Sequence, residues 1–153
     1  MDVFKDKYII MELIPSHSKS ELGEIIQLQA LKLNGLQLIE RFDYRLDYDK
    51  ILNKDLQAMI SYDNHLFTYV DKSDAIMKAF KKFSLDLPLL IIDNDYTKDY
   101  LKGLDNLKIS VFKYLDLELS DDVFSKLIQK YNLKPSNHLV DLLYEAIIEK
   151  SNN

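Results

Sequence analysis

Histidine, serine and the acidic residues are the side chains of this sequence that could act as catalysts or ligands. The histidines are His17, His65 and His138, and none of them belongs to an HExxH motif or another pair with helical zinc-ligand spacing. Ser16, His17 and Ser18 combine nucleophiles with a base, but adjacent residues do not face one another. We therefore interpret Ser16–Ser18 as a polar loop.

Glycine and cysteine motifs are also absent from the sequence. Glycine occurs only at positions 23, 35 and 103, so no GxGxxG or GxxxxGK phosphate-binding loop can be built. The sequence contains no cysteine, which removes disulfides, thiolate nucleophiles and Cys-based metal sites. This composition is compatible with a reducing compartment.

Length and charge limit the function further. The 153 residues are 47% hydrophobic and 29% charged, which predicts one globular domain over 1–153 with its core at 7–149. The net charge of −5 argues against broad electrostatic attraction to nucleic acid. Arginine, the better phosphate reader, occurs only as Arg41 and Arg45. No secretory signal or membrane span is visible, so we expect a cytoplasmic protein without membrane contact.

The apolar pattern predicts three antiparallel strands first. Residues 7–14, 24–33 and 36–46 read as strands, and Asn34-Gly35 between the last two is a strong hairpin signal. Helices and strands then alternate along the chain. We expect helices near 50–60, after Ser73-Asp74, at 96–103, after Ser120-Asp121-Asp122 and from Pro135, with strands at 88–92 and 107–114.

This order predicts a mixed α/β fold with a five-stranded sheet flanked by helices, as in the ribonuclease H-like fold. YIIMELIPS resembles the first strand of the DEDDh exonucleases, hhhFDxETTG, and EIIQLQALKLNG resembles their second strand, EIIEIGAVKVxxG. LLIIDNDYTKDYL lies where that family has LVxHNxxFDxxFL. The segment KLIQKYNLKPSNHLVDLLYEAI lies where it has LxxxxGIxxxxHRALxDAxAT. The chain is thus similar to the family of the DNA polymerase III epsilon subunit and ribonuclease T, sometimes called DnaQ-like.

The resemblance implies a site built from four carboxylates and a histidine around two metal ions. Carried over residue by residue, the two acids of the first motif fall on Met11 and Leu13. The next acid falls on Thr97, and the histidine falls on Ser136. Asp141 alone keeps a family acid. The resemblance therefore implies a degenerate active site, with no catalytic residue and no resident metal.

Other acids are candidate substitutes for the lost ligands. Glu12 lies between two lost positions, but strand neighbours point to opposite faces, so we expect it to point away from them. Asp93, Asp95 and Asp99 surround Thr97, where turn and helix-start chemistry is the simpler interpretation. His138 precedes Asp141 by three residues, whereas the family spacing is five.

We expect a catalytically inactive, exonuclease-like pseudoenzyme that binds a protein or a nucleic acid. The resemblance makes a polymerase or another replication or repair component a plausible partner, and weak nucleic-acid binding remains open. The alternative is an active 3′–5′ exonuclease that uses Mg²⁺ or Mn²⁺ at a relocated acidic site.

Overall fold

The computed structural model describes residues 5–60, 67–118 and 122–152. The strands are β1 (Lys7–Pro15), β2 (Ile25–Asn34), β3 (Gln37–Leu46), β4 (Thr68–Val70), β5 (Leu89–Ile91) and β6 (Leu107–Ser110). The helices are α1 (Lys54–Ile60), α2 (Ser73–Ser84), α3 (Thr97–Tyr100), α4 (Val111–Tyr114), α5 (Val123–Tyr131) and α6 (Leu139–Ser151). The strands form one mixed sheet in the order β4-β3-β2-β1-β5-β6.

The first half of the sheet is an antiparallel meander, as the sequence predicts. β1 pairs with β2 and β2 pairs with β3, both antiparallel. The hairpin turns at Gly35, whose φ of 61° favours glycine. The Tyr8 hydroxyl donates a hydrogen bond to the Gly35 carbonyl at 2.8 Å and anchors the turn. A register shift between Lys32 and Leu33 leaves Ile39 as an extra residue, which makes β3 bulge there.

The second half of the sheet is parallel and corrects two sequence predictions. β5 runs parallel to β1 and β6 parallel to β5, while β4 adds a sixth strand parallel to β3. The expected count of five strands is therefore wrong, because three residues such as Thr68–Val70 are too few to show a period of two. The predicted strand 107–114 is half helix. The Ser110 hydroxyl accepts a hydrogen bond from the Lys113 amide at 3.4 Å and caps α4.

The two faces of the sheet carry separate apolar layers. Ile9, Met11 and Leu13 of β1 pack with α2. Their neighbours Tyr8 and Ile10 pack with α5 and α6. We call these surfaces the α2 face and the α6 face of the sheet. The strand period of two therefore decides which residues of β1 can reach which helices.

Helix starts differ from the predicted caps. α2 begins after Lys72, and the Ser73 hydroxyl instead hydrogen-bonds to both backbone groups of Ile25 at 2.8 and 2.9 Å. α6 begins at Leu139 rather than near Pro135. His65 and the predicted cap residues Ser120 and Asp121 lie outside the described residues. No helix in the described ranges is long and apolar enough to cross a membrane.

The loop after β1 is fixed against α3. The Ser16 amide donates to the Glu24 carbonyl at 2.8 Å, which closes the base of the loop. The Ser20 amide donates to Asp99 Oδ2 at 2.6 Å, and this bond lowers the pKa of Asp99. The Tyr100 hydroxyl donates to the His17 carbonyl at 2.7 Å. These contacts hold the loop over the carboxyl end of β1.

Gly23 provides a test of this loop packing. A Cβ atom at Gly23 would lie 2.7 Å from the Cβ of His17 and would also meet the Tyr100 hydroxyl. We expect Gly23→Ala to lower the free energy of unfolding by about 1–3 kcal/mol, the usual cost of overpacking. Urea unfolding measures this change. Ser18→Ala, in the same loop but exposed, should change stability by less than about 0.5 kcal/mol. Equal stability of Gly23→Ala and the parent would contradict the close packing.

Candidate functional site

A row of polar side chains crosses the α6 face of the sheet. Glu12 of β1 lies opposite Gln29 of β2, and Gln29 lies opposite Asp43 of β3. The next row carries Gln27 of β2 opposite Arg45 of β3. Gln27, Gln29 and Arg45 are each no more than 4% exposed. Burial of a polar group is costly unless it is hydrogen-bonded, so each of these three side chains needs a partner.

Arg45 is the centre of a hydrogen-bonded network. Its Nε donates to Gln27 Oε1 at 2.8 Å, and its Nη2 donates to the same oxygen. Its Nη1 donates to the Ile60 carbonyl at 3.4 Å, and its guanidinium lies 3.8 Å from the centre of the Phe67 ring. Gln27 Nε2 donates in turn to Gln29 Oε1 at 3.2 Å. The network ties the middle of β2 and β3 to the chain around Ile60 and Phe67.

The network continues from Gln29 towards α6. Gln29 Nε2 donates to Asp43 Oδ1 at 2.9 Å, and Arg41 Nε donates to Asp43 Oδ2 at 3.2 Å. The other two guanidinium nitrogens of Arg41 reach both oxygens of Asp141, at 2.6 and 3.3 Å. Burial lowers the pKa of Arg41, but the hydrogen bonds and charges of Asp141 and Asp43 outweigh it and raise that pKa. Asp141 therefore serves as the partner of an arginine.

Glu12 faces two neighbouring cavities. One, of about 670 Å³, is lined by Glu12, Ile14, Gln27, Arg45, Ile60, Tyr96, Phe124, Ile128, Ser136 and Asn137. The other, of about 530 Å³, shares Glu12, Tyr96 and Phe124 and adds Ser18 and Asp95. We call the two cavities together the cleft. Among the described residues, no group hydrogen-bonds to the Glu12 carboxyl.

The cleft disfavours charge on Glu12. Burial raises the pKa of Glu12 to about 7. Burial, and then the nearby charge of Glu12, raises the pKa of Tyr96. A carboxyl group with a pKa near 7 is half protonated at neutral pH, so Glu12 can donate or accept a proton there.

Met11 and Leu13 do not line the cleft. Both are almost fully buried on the α2 face, at 0% and 1% exposure, among residues of β2, β3 and α2. Asp141 and Ser136 belong to the α6 side of the sheet. The expectation that Met11 and Leu13 share a site with Asp141 is therefore corrected, because alternate residues of a strand point to opposite faces. The expectation that Glu12 points away from its neighbours is confirmed.

Thr97 is also absent from the cleft. It is 0% exposed, and its hydroxyl donates to Asn94 Oδ1 at 2.7 Å. The same oxygen accepts from the amides of Tyr96 and Thr97, at 3.2 and 2.8 Å, so Asn94 organises the start of α3. Asp95 lines the cleft beside Glu12. Asp93 is exposed and is absent from the cleft lining.

Two further candidates lie beside the polar network. Ser136 lines the cleft together with Glu12, and it also lines a separate cavity with Asp141. His138 Nδ1 lies 3.1 Å from Gln29 Oε1, and its ring lies 6.1 Å from that of Phe67. The structure thus gathers Glu12, Ser136, His138 and Asp141 on one face, around the polar network.

These donors do not fit a pair of divalent ions. In residues 5–60, 67–118 and 122–152, no three His, Asp or Glu side chains converge in a way that would hold a metal. Mg²⁺ and Mn²⁺ need several oxygen ligands, usually carboxylates. The network offers little negative charge to a divalent cation, because its centre consists of neutral glutamine amides and the cationic Arg45. Asp141 is already paired with Arg41.

Most of this network could not be recognised from known motifs. The residues that no motif marks are Gln27, Gln29, Arg41, Asp43, Arg45, Phe67 and Tyr96. A signal was present in β2, where two glutamines interrupt an otherwise apolar strand on the same face. A second signal was the placement of both arginines of the chain in one strand, at spacing four, which puts them on that face as well.

Comparison with known proteins adds no family assignment. No protein-family model matches the sequence, and no curated protein is significantly similar to it.

The Arg45–Gln27 contact can be tested by mutation. Gln27→Leu removes the acceptor for two guanidinium nitrogens, and we expect it to lower the free energy of unfolding by about 2–3 kcal/mol. Adding Arg45→Met should restore much of that loss, because two apolar side chains leave no charge without its acceptor. Chemical denaturation of both variants measures the effect, and Gln37→Leu at an exposed site of β3 is the control. A double variant less stable than Gln27→Leu would contradict this account.

The raised pKa of Glu12 predicts a pH-dependent stability. Between pH 4.5 and about 7 the folded protein keeps a proton that the unfolded chain releases, so stability falls as the pH rises through this range. Glu12→Gln cannot ionise. The free energy of unfolding of Glu12→Gln, relative to that of the parent, should therefore rise by about 1–3 kcal/mol between pH 5 and pH 8. One pKa unit is worth about 1.4 kcal/mol, and access of water reduces the effect.

Urea unfolding of the parent and Glu12→Gln at both pH values gives this difference. Glu21→Gln, an exposed glutamate in the next loop, controls for the loss of one negative charge. A difference between Glu12→Gln and the parent that stays constant from pH 5 to pH 8 would show that water solvates Glu12 fully.

Proposed function

We propose that this chain is a degenerate DEDDh exonuclease-like domain that binds a protein or a nucleic acid without hydrolysing it. The order of the strands supports the ribonuclease H-like part of this proposal. β3-β2-β1-β5-β6, with β2 antiparallel to its neighbours and β5 and β6 parallel to β1, is the order that the resemblance implies. β4 is then an added edge strand.

The geometry of β1 supports a shift of one residue in the proposed alignment of its motif with the family. A metal site beneath α6 can only use β1 residues on the α6 face, which are Tyr8, Ile10, Glu12 and Ile14. Glu12 then takes the place of the first acid of the motif and Ile14 that of the second. On this alignment one carboxylate is retained in β1 rather than none, and it faces the cleft.

The observation that carries the proposal is the bidentate pairing of Asp141 with Arg41. Asp141 also matches a family acid, and both of its oxygens accept hydrogen bonds from a guanidinium. Its pairing with β3 draws it away from Glu12, because β1 and β3 lie roughly 10 Å apart, two strand spacings. A two-metal centre needs ions about 3.5–4 Å apart that share carboxylates. The arrangement therefore supports binding without hydrolysis.

Of the two kinds of partner, a protein fits the charge of the chain better. The net charge of −5 opposes tight binding of nucleic acid. A polymerase or another replication or repair component is the partner that the resemblance suggests. Any nucleic-acid binding should be weak and should fall steeply with salt.

One observation favours the alternative, an active nuclease with a relocated site. Glu12 and Asp95 line the same cavity. Two carboxylates in one cavity supply the oxygen ligands that a divalent ion prefers. Asp93 and Asp141, the other acids considered for such a site, lie outside that cavity.

A cleavage assay separates the two functions. We expect the purified protein to leave 5′-labelled single-stranded DNA and RNA intact with Mg²⁺ or Mn²⁺, to the level of a mock preparation. In thermal melts, Mn²⁺ should not stabilise the parent protein more than it stabilises the Glu12→Gln variant. A 3′–5′ ladder that disappears in both Glu12→Gln and Asp95→Asn would overturn the proposal. Asp55→Asn, at an exposed acid of α1, is the matched control.

A further inference from the structure

The smaller cavity of the cleft lies at the carboxyl ends of two parallel strands. β5 runs parallel to β1, and Asn94, Asp95 and Tyr96, which follow β5 closely along the chain, line this cavity together with Glu12 of β1. Crevices at the carboxyl ends of strands are the usual ligand sites of open α/β sheets. The volume of about 530 Å³ is sufficient for a small organic molecule.

Most of the wall of this cavity is apolar or aromatic. Its apolar side chains come from the residue after β5 and from α4, α5 and α6, and they are Ile92, Phe112, Val123, Phe124 and Leu139. The ring of Tyr96 completes this part of the wall. A small divalent ion that keeps its waters gains little from such a wall, whereas a ligand with an apolar body can bury it there.

The charged side chains of this cavity are both acidic. Glu12 and Asp95 line it, and the described lining includes no lysine, arginine or histidine. In the described ranges, neither carboxyl group has a hydrogen-bond donor or an ion-pair partner. Burial raises the pKa of Glu12, and no described cation lowers that pKa. Glu12 therefore lacks a counter-charge, and a ligand can provide one.

The cation of the larger cavity does not take this role. Arg45 lines that cavity beside Glu12, but its guanidinium donates to Gln27 and to the Ile60 carbonyl and lies over the Phe67 ring. The pKa of Glu12 is accordingly raised by burial without a lowering contribution from Arg45. Arg45 thus helps to form the wall of the cleft and leaves the charge of Glu12 uncompensated.

We propose that the smaller cavity binds the ammonium group of an organic amine with an apolar stem, either a free amine or the lysine side chain of a partner protein. The ammonium group pairs with Glu12 and Asp95, and the stem packs on Tyr96 and Phe124, whose ring faces also attract a cation. The net charge of −5 favours the approach of a cationic partner. The inference rests on the binding role proposed above and adds a ligand chemistry to it.

The first test is calorimetric titration of the full chain with phenethylamine and with phenethyl alcohol, a neutral molecule of the same shape. We expect the amine to bind at least tenfold more tightly than the alcohol, because only the amine forms charged hydrogen bonds in the cavity. Glu12→Gln should weaken the amine at least tenfold and Asp95→Asn at least threefold, while the alcohol should bind all variants within twofold.

Asp93→Asn is the matched control for these variants. It removes one negative charge beside Asp95 in the chain, but Asp93 is exposed and does not line the cleft. The amine should bind this variant within twofold of the parent. Equal loss of affinity in Asp93→Asn and Asp95→Asn, or equal binding of the amine and the alcohol to the parent, would overturn the proposal.

Nuclear magnetic resonance locates the bound amine. Saturable shifts of the backbone amides of Glu12, Tyr96 and Phe124 should appear on titration with phenethylamine and should be lost in Glu12→Gln. Saturable shifts confined to other parts of the chain would contradict the proposed site, even if calorimetry detects binding.

A parallel titration with Nα-acetyl-lysine methylamide distinguishes the two sources of the ammonium group. Tighter binding of this compound than of phenethylamine, lost when its side-chain amine is acetylated, would assign the cavity to a lysine of a partner protein. The reverse order would assign it to a free amine. Absence of binding by both compounds would overturn the proposal.

Two competing ligands give outcomes that would also overturn the proposal. Mn²⁺ that binds at Glu12 and Asp95 while the amine does not would assign the carboxyl pair to a metal ion. Thymidine monophosphate that shifts the same amides in place of the amine would assign the cavity to a nucleotide. None of these readouts depends on nuclease activity. A protein that cleaves DNA and binds the amine would refute the proposed function alone, whereas an inactive protein that binds no amine would refute this inference alone.

Discussion

The position of the buried Arg45 guanidinium constrains the α6 face of this sheet more than any other interaction. A positive charge at 4% exposure needs acceptors close by, and Gln27 supplies one that accepts two hydrogen bonds from the neighbouring strand. The side-chain amide nitrogen of Gln27 also needs an acceptor, and it donates to Gln29. The amide nitrogen of Gln29 in turn donates to Asp43. The polar row across the sheet is therefore one connected unit in which each side chain is fixed by the next.

This unit also explains how α6 sits on the sheet. Apolar packing of residues such as Leu143 and Ile147 holds the helix against the sheet, but such packing tolerates sliding. The paired hydrogen bonds from Arg41 to Asp141, and the contact of His138 with Gln29, each need one particular register of the helix over β2 and β3. The network thus adds directional constraints at the start of α6, beside the cleft.

The sequence was most informative where a period repeats over several turns or strand residues. The long strands β1 to β3, the Asn34-Gly35 turn and the apolar stripe of α2 follow from alternation, positive φ and helical spacing, and they are confirmed. Short elements were not predicted, because the three residues of β4 and the four of α4 are too few to show a periodic pattern. The site was harder to predict, because a shift of one residue along a strand moves a side chain to the opposite face: Met11 and Leu13 lie on the α2 face, whereas Glu12 faces the cleft.

The environment of Glu12 differs from that of a metal-bound carboxylate. A carboxylate in a metal centre is kept ionised by the cations it binds. Burial of Glu12, for which the described residues provide no hydrogen-bond partner, instead raises its pKa to about 7. In that state the group exchanges between a hydrogen-bond donor and an acceptor near neutral pH. Arg45 remains bound to Gln27 and Phe67, so it fixes the wall of the cleft while Glu12 can change its protonation. A ligand that enters the cleft therefore meets the Glu12 carboxyl group, which can change its protonation near neutral pH, beside fixed amides and aromatic rings, and this arrangement is compatible with the proposed binding role.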